Sequence, residues 1–339
     1  MGATIEFSAS RPAAFARLGA LLLTGLLAAC GGGGGAGGTI PAGTPRAVQA
    51  AATVTLRSVT PSAIESGTNP YYNSPDLVSP PAGTAKNRLF LFLPGTSATP
   101  STYQDILREA ASRGYHAIGL TYVNAVTLYT SCGSSTDPNC WGNYRNEVIT
   151  GQDTSASIAV TPADSITGRL TALLQYLASS APSEGWAQYL SGSQPVWQSI
   201  AVGGHSQGAG DAAYFGKLHA FARICDFDSP GDTTSGAPAA WLAKPNLTSP
   251  SVHYGFTDSH DTVVAYAQTL ANWNALGLAG SPTVVDGATP PFGNSHQLVT
   301  NLQAGDATST HSLTIADFAT PTTNGVPNFT PVWDLICLP

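Results

Sequence analysis

One serine in this chain has the neighbours that a catalytic nucleophile needs. Residues 199–210 read SIAVGGHSQGAG, a short apolar run followed by Gly-His-Ser-Gln-Gly. The apolar run predicts a buried strand, and the residues just after it are compatible with a helix. A turn that joins such a strand to a helix is tight, so the residues beside the serine must be nearly free of side chain, as Gly204 and Gly208 are. The pattern predicts that Ser206 lies at the tip of a strained turn, where its hydroxyl can attack a substrate.

This strand, G-x-S-x-G turn and helix resemble the α/β-hydrolase superfamily, and more narrowly its bacterial exported esterase- and lipase-like members. The resemblance covers roughly residues 85–339. It implies an α/β fold with a mostly parallel central sheet and helices on both faces. It also implies a serine hydrolase in which the serine, the acid and the histidine follow one another in that order along the chain.

A serine hydroxyl needs a histidine to take its proton and a carboxylate to orient that histidine. Two aspartates follow the predicted strand at residues 252–257, namely Asp258 and Asp261. We favour Asp261, because its Asp-Thr-Val-Val context is common at the start of the next helix in the family.

Sorting the histidines by their place in the chain leaves His260, His296 and His311. We weigh His296 and His311 as the base and assign His260 at most to the site mouth. We favour His311, whose His-Ser-Leu-Thr-Ile context resembles a signature of many esterases. Both segments alternate like strands around the turn at Gly305, so we expect a hairpin that brings the two histidines close together. The alternates Asp258 and His296 stay open at this point.

The resemblance also implies an oxyanion hole, the pair of backbone amides that binds the negative oxygen of the reaction intermediate. One donor is the amide of the residue after the serine, here Gln207. The other comes from the loop after the third strand, which matches residues 93–97, LPGTS. Gly95 lets the backbone turn towards the substrate, which leaves the amide of Thr96 as the second donor. Each donor is worth roughly 3 kcal/mol in the transition state.

Strand-like and helix-like segments alternate along the rest of the chain, with short connections. This alternation predicts a mostly parallel sheet covered on both faces. We expect strands at residues 88–93, 116–122, 200–203, 222–228, 252–257 and 283–286, and helices at 103–112, 162–178, 263–276 and 331–337. We expect residues 125–160 to be irregular.

The first thirty residues read as an export signal rather than as part of the fold. Arg11 and Arg17 precede an apolar run at residues 18–27, which is too short to span a membrane as a mature helix. Leu-Ala-Ala-Cys at 27–30 resembles a bacterial lipobox, in which Cys30 is lipidated and becomes the mature N-terminus. The residue that follows Cys30 is not the aspartate associated with inner-membrane retention. We therefore expect an exported protein, anchored by lipid in the outer membrane or at the cell surface.

These observations predict three segments. Residues 1–29 are a lipoprotein signal peptide, residues 30–52 are the lipidated cysteine and a Gly-rich flexible tether, and residues 53–339 are one catalytic domain. The formal net charge of −7 and the lack of basic clusters argue against a nucleic-acid partner.

Four cysteines remain after Cys30. Cys132 and Cys140 bracket a turn-rich loop, and Cys225 and Cys337 can form a second pair, since export favours disulfides. The cysteines and histidines lack zinc-ligand spacing, so we expect no metal and no cofactor.

The sequence therefore predicts a serine hydrolase that cleaves a small or polymeric carboxylic ester through an acyl-enzyme. Two alternatives stay open. One is an amidase, peptidase or polyester depolymerase on the same triad, because a fold does not determine the reaction. The other is a surface-anchored binding protein without activity on a hydrolase fold.

Overall fold

Nine strands form the central sheet of the part of the chain that the structure describes. The structure is a computed structural model that describes residues 54–339. The predicted signal peptide, Cys30 and the whole Gly-rich tether fall outside this range. The strands are β1 (Arg57–Val59), β2 (Asp76–Ser79), β3 (Leu89–Leu93), β4 (His116–Gly119), β5 (Ile200–His205), β6 (Arg223–Phe227), β7 (His253–Asp258), β8 (Thr283–Val284) and β9 (Gln297–Thr300). Their order across the sheet is β1-β2-β4-β3-β5-β6-β7-β9-β8.

Six of the eight strand pairings are parallel. Only β2 runs against its neighbours, β1 and β4, whereas the pairs from β4 through β3, β5, β6, β7 and β9 to β8 are all parallel. The carboxyl ends of the parallel strands therefore meet along one edge of the sheet, which is where ligands bind in such folds.

Nine α-helices accompany the sheet in the described part of the chain. They are α1 (Pro61–Ile64), α2 (Gln104–Ser112), α3 (Leu128–Cys132), α4 (Cys140–Thr150), α5 (Ile166–Ser180), α6 (Gln207–Leu218), α7 (Tyr266–Leu276), α8 (Ala307–Ser312) and α9 (Thr330–Cys337). Short 3-10 turns lie at Pro70–Tyr72, Pro100–Thr102, Pro182–Glu184, Trp186–Tyr189, Trp197–Ser199, Ala240–Ala243, Pro250–Val252 and Phe292–Asn294. Three two-residue ribbons pair Leu190–Ser191 with Gln194–Pro195, Thr233–Thr234 with Ala237–Pro238, and Thr322–Thr323 with Val326–Pro327.

Both faces of the sheet are buried, as the sequence of β3 (LFLFL) shows. Leu89, Leu91 and Leu93 belong to one apolar core, to which α4, α5 and α6 contribute. Phe90 and Phe92 belong to the other core, with residues of α2 and α9. Successive side chains of a strand point to opposite faces, so an unbroken apolar run is what a strand covered on both sides requires.

Helix α5 illustrates how local sequence positions the covering layer. Its N-cap Ser165 accepts a hydrogen bond from the amide of Gly168, which satisfies one of the free amides at the helix start. The buried side chains recur at helical spacing and face the core, namely Ile166, Leu170, Leu173, Leu174 and Leu177.

The prediction of an α/β fold with a mostly parallel sheet is confirmed, and each predicted strand and helix has a counterpart. Two expectations were wrong. Residues 125–160 contain α3 and α4 rather than an irregular loop. The hairpin around Gly305 is absent, because residues 297–300 pair with β7 and β8 while residues 307–312 form α8, capped by Asp306.

Both predicted disulfides are present, Cys132–Cys140 and Cys225–Cys337. The first ties α3 to the start of α4, and the second ties β6 to the end of α9. Among the helices of residues 54–339, none has the length and apolar character needed to cross a membrane.

The two disulfides are predicted to differ in their contribution to stability. They enclose loops of 8 and 112 residues. Loop-closure entropy then gives about 2.5 kcal/mol for Cys132–Cys140 and about 5 kcal/mol for Cys225–Cys337. Urea unfolding of the two double Cys→Ala variants measures both losses. An equal or larger loss on removal of the short-loop disulfide would contradict this expectation.

Candidate active site

Ser206 lies in the sharp turn between β5 and α6, with a backbone φ of 54° and ψ of −117°. A positive φ is unfavourable for a non-glycine residue and costs on the order of 1–3 kcal/mol. A Cβ atom at Gly204 would overlap the backbone of Gly208, and one at Gly208 would overlap the carbonyl oxygens of Leu93 and Pro94. Glycine is therefore required on both sides, and the turn presents the serine at the edge where the parallel strands end.

Asp261 and His311 form a buried pair beside this turn. The Nδ1 atom of His311 lies 2.7 Å from Oδ2 of Asp261. The other carboxylate oxygen of Asp261 accepts hydrogen bonds from the amides of Val263 and Val264, at 2.8 and 3.2 Å. These bonds hold the carboxylate in place, so it can orient the imidazole. On the far side of the ring, Nε2 is buried without a hydrogen-bond partner among the described residues.

The two alternates, Asp258 and His296, make other contacts in the structure. Asp258 ends β7, and its Oδ1 accepts the amide hydrogen of His260 at 2.7 Å, so it acts as a loop carboxylate. His296 precedes β9 at the opposite edge of the sheet, where its Nδ1 lies 2.9 Å from the carbonyl of His253 and its ring stacks on Tyr254. The geometry brings together Asp261 and His311, and it does not bring His296 to Ser206.

The two residues whose amides are predicted to bind the oxyanion are joined by a hydrogen bond between their side chains. The Thr96 hydroxyl donates to Oε1 of Gln207 at 2.9 Å, which links the loop after β3 to the first turn of α6. Because Gln207 is the first residue of its helix, its amide has no acceptor within the helix. The start of a helix also carries a partial positive charge that favours a negative oxygen.

One cavity of about 470 Å³ joins these groups. Its polar side is lined by Thr96, Ser206, Gln207 and His311. Much of the remaining wall is apolar, with contributions from Leu128, Tyr129, Trp141, Val263, Val264 and Phe318. A cavity of this kind, apolar with a few convergent polar groups, is typical of a small-molecule binding site.

A buried ion cluster forms part of the cavity wall, because Arg145 and Asp232 both line it. Arg145 of α4 donates two hydrogen bonds to Asp232, at 2.7 and 2.6 Å, and one to Asp211 of α6, at 2.7 Å. It also donates to the carbonyl of Gln207 at 3.1 Å. Arg145 therefore connects α4, α6 and the loop after β6 directly beneath a predicted oxyanion donor.

Burial and neighbouring charges shift the pKa values of this cluster in opposite directions. Burial alone would lower the pKa of Arg145, but the charges and hydrogen bonds of Asp232 and Asp211 outweigh it and raise that pKa. Burial raises the pKa of Asp211 to about 6, although Arg145 opposes the rise. The guanidinium thus stays charged.

Sequence reasoning missed Arg145 and His205, which line the cavity, and Asp228, whose carboxylate lies 3.9 Å from Nε2 of His205. The ring of His205, the residue before Ser206, contacts Tyr103 and the segment of His311. Asp228, at the end of β6, accepts a hydrogen bond from Thr314, and burial together with the charge of Asp261 raises its pKa well above the usual range. An aspartate directly after a buried strand was the available signal for Asp228, whereas no local pattern marked Arg145.

Within residues 54–339, no cluster of three or more His, Cys, Asp or Glu side chains is arranged to hold a metal ion. The chain matches no protein-family model, and a comparison with curated proteins finds no match either.

Arg145 is predicted to be essential for stability. Arg145→Met leaves Asp211 and Asp232 buried without their partner, which should cost about 3–5 kcal/mol. The matched control is Arg108→Met, because the ion pair of Arg108 with Asp105 is exposed and should cost less than about 1 kcal/mol. The free energy of unfolding in urea measures both, and similar losses would refute a special role for the buried cluster.

Proposed function

We propose that this protein is a serine hydrolase of the α/β-hydrolase type that cleaves carboxylic esters. The observation that carries the proposal is the 2.7 Å contact between Asp261 and His311 in the cavity that Ser206 also lines. The nucleophile turn, the loop after the third strand and the chain order of Ser206, Asp261 and His311 agree with that family's arrangement and support it.

Acylation begins when the Ser206 hydroxyl attacks the ester carbonyl carbon. His311 takes the hydroxyl proton on Nε2, and Asp261 stabilises the imidazolium that results. The carbonyl π electrons move to oxygen, and the amides of Thr96 and Gln207 bind this oxyanion. The tetrahedral intermediate collapses, the bond to the alcohol oxygen breaks, and His311 gives its proton to the departing alkoxide.

Deacylation repeats these steps with water as the nucleophile. His311 accepts a proton from the water as it attacks the acyl-serine carbonyl. When the second tetrahedral intermediate collapses, the serine oxygen leaves and takes the proton back from His311. The carboxylic acid departs, and the free enzyme is restored with no cofactor consumed.

The walls and mouth of the cavity favour an ester with an apolar acyl or alcohol part. Three wall residues are also well exposed, namely Phe318 at 65%, Val263 at 48% and Tyr129 at 40%. Exposed apolar groups around a site mark a surface that binds an apolar partner. The same exposed apolar side chains can contact a water-insoluble polyester. Depolymerisation is therefore the second candidate reaction.

Ser206 is predicted to be the nucleophile. A fluorophosphonate probe should label the wild-type chain but not Ser206→Ala. Ester turnover should fall by about four orders of magnitude in the variant, because the covalent route is lost. p-Nitrophenyl esters, matching anilides and a polyester film then distinguish esterase, amidase and depolymerase. A wild-type chain that neither labels nor hydrolyses any of them would leave the non-catalytic binding protein as the better account.

The acid and the base are tested in matched pairs within the same experiment. Asp261→Asn and His311→Gln should lose turnover by about a thousandfold or more, while Asp258→Asn and His296→Gln should stay within about tenfold of the wild type. A dead His296→Gln beside an active His311→Gln would move the base, and the same exchange between the aspartates would move the acid. Losses below tenfold in all four variants would contradict the triad.

We further propose that the protein is exported and lipid-anchored through Cys30, as the Leu-Ala-Ala-Cys sequence at 27–30 suggests. The two disulfides support an oxidising compartment, since such bonds persist mainly there.

Cys30→Ser is predicted to release the protein from membranes or to block its processing, because the sulfur that would carry the lipid is gone. Fractionation of cells, with a labelled fatty acid to follow lipidation, measures the effect. Cys132→Ser serves as the control, because it removes a cysteine, and with it a disulfide, from the folded domain and should keep both lipid and membrane association. Equal lipid incorporation in the wild type and in Cys30→Ser would refute the anchor.

A further inference from the structure

A chain of three buried hydrogen bonds runs beneath Ser206. The amide of Gly95 donates to the Tyr103 hydroxyl oxygen at 3.2 Å. The same hydroxyl lies 2.9 Å from Nδ1 of His205. The Nε2 atom of His205 lies 3.0 Å from the carbonyl oxygen of His311. The chain therefore begins next to Thr96 and ends on the backbone of the predicted base.

The direction of each bond follows from the groups themselves. A carbonyl oxygen can only accept, so Nε2 of His205 must carry the hydrogen. In a neutral imidazole Nδ1 is then an acceptor, and the Tyr103 hydroxyl must donate to it. That leaves the phenolic oxygen to accept from the Gly95 amide. Every donor has an acceptor, so the chain has one consistent arrangement.

His205 stays neutral, which preserves this arrangement. It is 5% exposed, and burial, assisted by the nearby His311, lowers its pKa to about 3. The ionisable groups that face it are Tyr103, His311 and Asp228, whose carboxylate lies 3.9 Å from Nε2. Burial also raises the pKa of Tyr103, so neither ring changes its proton count in a neutral assay.

A second connection holds the same two segments together. The amide of Asp317, six residues after His311, donates to the carbonyl of Thr102. Its carboxylate accepts hydrogen bonds from the amides of Gln104 and Asp105, at 2.9 and 3.1 Å. The segment that carries His311 is thus attached to the region around Tyr103 at two points, of which only the His205 chain reaches the oxyanion loop.

We propose that Tyr103 and His205 are positioning residues that hold the oxyanion loop and the backbone of His311 at a constant distance from Ser206. This inference rests on the proposed hydrolase function. Neither side chain transfers a proton; both act through Gly95 and His311. A displacement of about 1 Å in a reacting group can cost about a hundredfold in rate, so loss of the chain should lower kcat more than it changes KM.

The protein contains a matched control for this arrangement. His116, at the start of β4, has Nδ1 2.8 Å from the Tyr189 hydroxyl and Nε2 2.7 Å from the carbonyl of Glu184. His116 is 2% exposed and Tyr189 is fully buried. The two histidine bonds are the same as at His205, but among the described residues the Tyr189 hydroxyl accepts no backbone amide as Tyr103 does from Gly95. His116 lies at the amino end of its strand, at the edge opposite Ser206. A change there removes the same two histidine bonds without touching the site.

The experiment compares four variants of the full chain, Tyr103→Phe and His205→Asn against Tyr189→Phe and His116→Asn. Ester kinetics are normalised to the active sites that a fluorophosphonate probe labels, so unfolded protein does not count. We expect kcat to fall about 10- to 100-fold in the first two and to change less than about threefold in the controls. KM should stay within about threefold in all four.

Two further measurements separate positioning from mere structural support. A boronic acid that mimics the tetrahedral intermediate should bind the first two variants more weakly, in proportion to their loss of kcat. His205→Gln, whose amide can reach the position of Nε2 and donate to the His311 carbonyl, should recover part of the kcat lost in His205→Asn.

The outcomes are distinct. If Tyr103→Phe and His205→Asn lose no more kcat than their controls, or if boronate affinity does not change, the positioning role is wrong while the hydrolase remains. If His205→Asn does not fold, Tyr103→Phe against Tyr189→Phe decides the question alone. A wild-type chain that neither labels nor hydrolyses an ester overturns the proposed function, and this inference with it.

Discussion

No side chain fits at Gly204 or Gly208, because β5, α6 and the backbone of Leu93 and Pro94 approach one another too closely there. This steric constraint gives Ser206 its positive φ and directs the serine to the carboxyl edge of the sheet. It also brings the first amide of α6 next to the loop after β3, where the Thr96 hydroxyl meets the Gln207 side chain. The strain at Ser206 persists because packing on every side leaves the turn no alternative.

The surroundings of the turn are held by polar groups that are almost entirely buried. Arg145 bridges Asp211, Asp232 and the Gln207 carbonyl from below. His205 and Tyr103 form the corresponding bridge on the other side, from the loop after β3 to the backbone of His311. Buried polar groups are stable only when their bonding is satisfied. Networks of this kind therefore favour a single arrangement of the groups around the turn.

Prediction from sequence succeeded where the signal was local and periodic, and it failed where burial was not periodic. The unbroken apolar runs of β3 and β5 were recognised because strands covered on both sides need them. Helix α4 was missed because Trp141, Tyr144, Arg145 and Glu147 are buried on nearly every side of it, so no apolar stripe appears. The alternating run at residues 310–315 suggested a hairpin, but six residues are too few to distinguish a strand from a helix, and residues 307–312 form a helix that is capped by Asp306.

The turn at Ser206 could be read from the chain alone, because its requirement for glycine acts between residues only a few positions apart. The two cysteine pairs could be inferred too, since four cysteines allow few pairings. The partners proposed for Ser206 could not be read in this way. Asp261 and His311 are separated by 50 residues, and His205 and His311 by 106. Asp258 and His296 fit the same sequence pattern. Only the packing of β7, β9 and α8 decides which carboxylate and which imidazole meet, because a hydrogen bond depends on distance and direction in space and leaves no periodic trace along the chain.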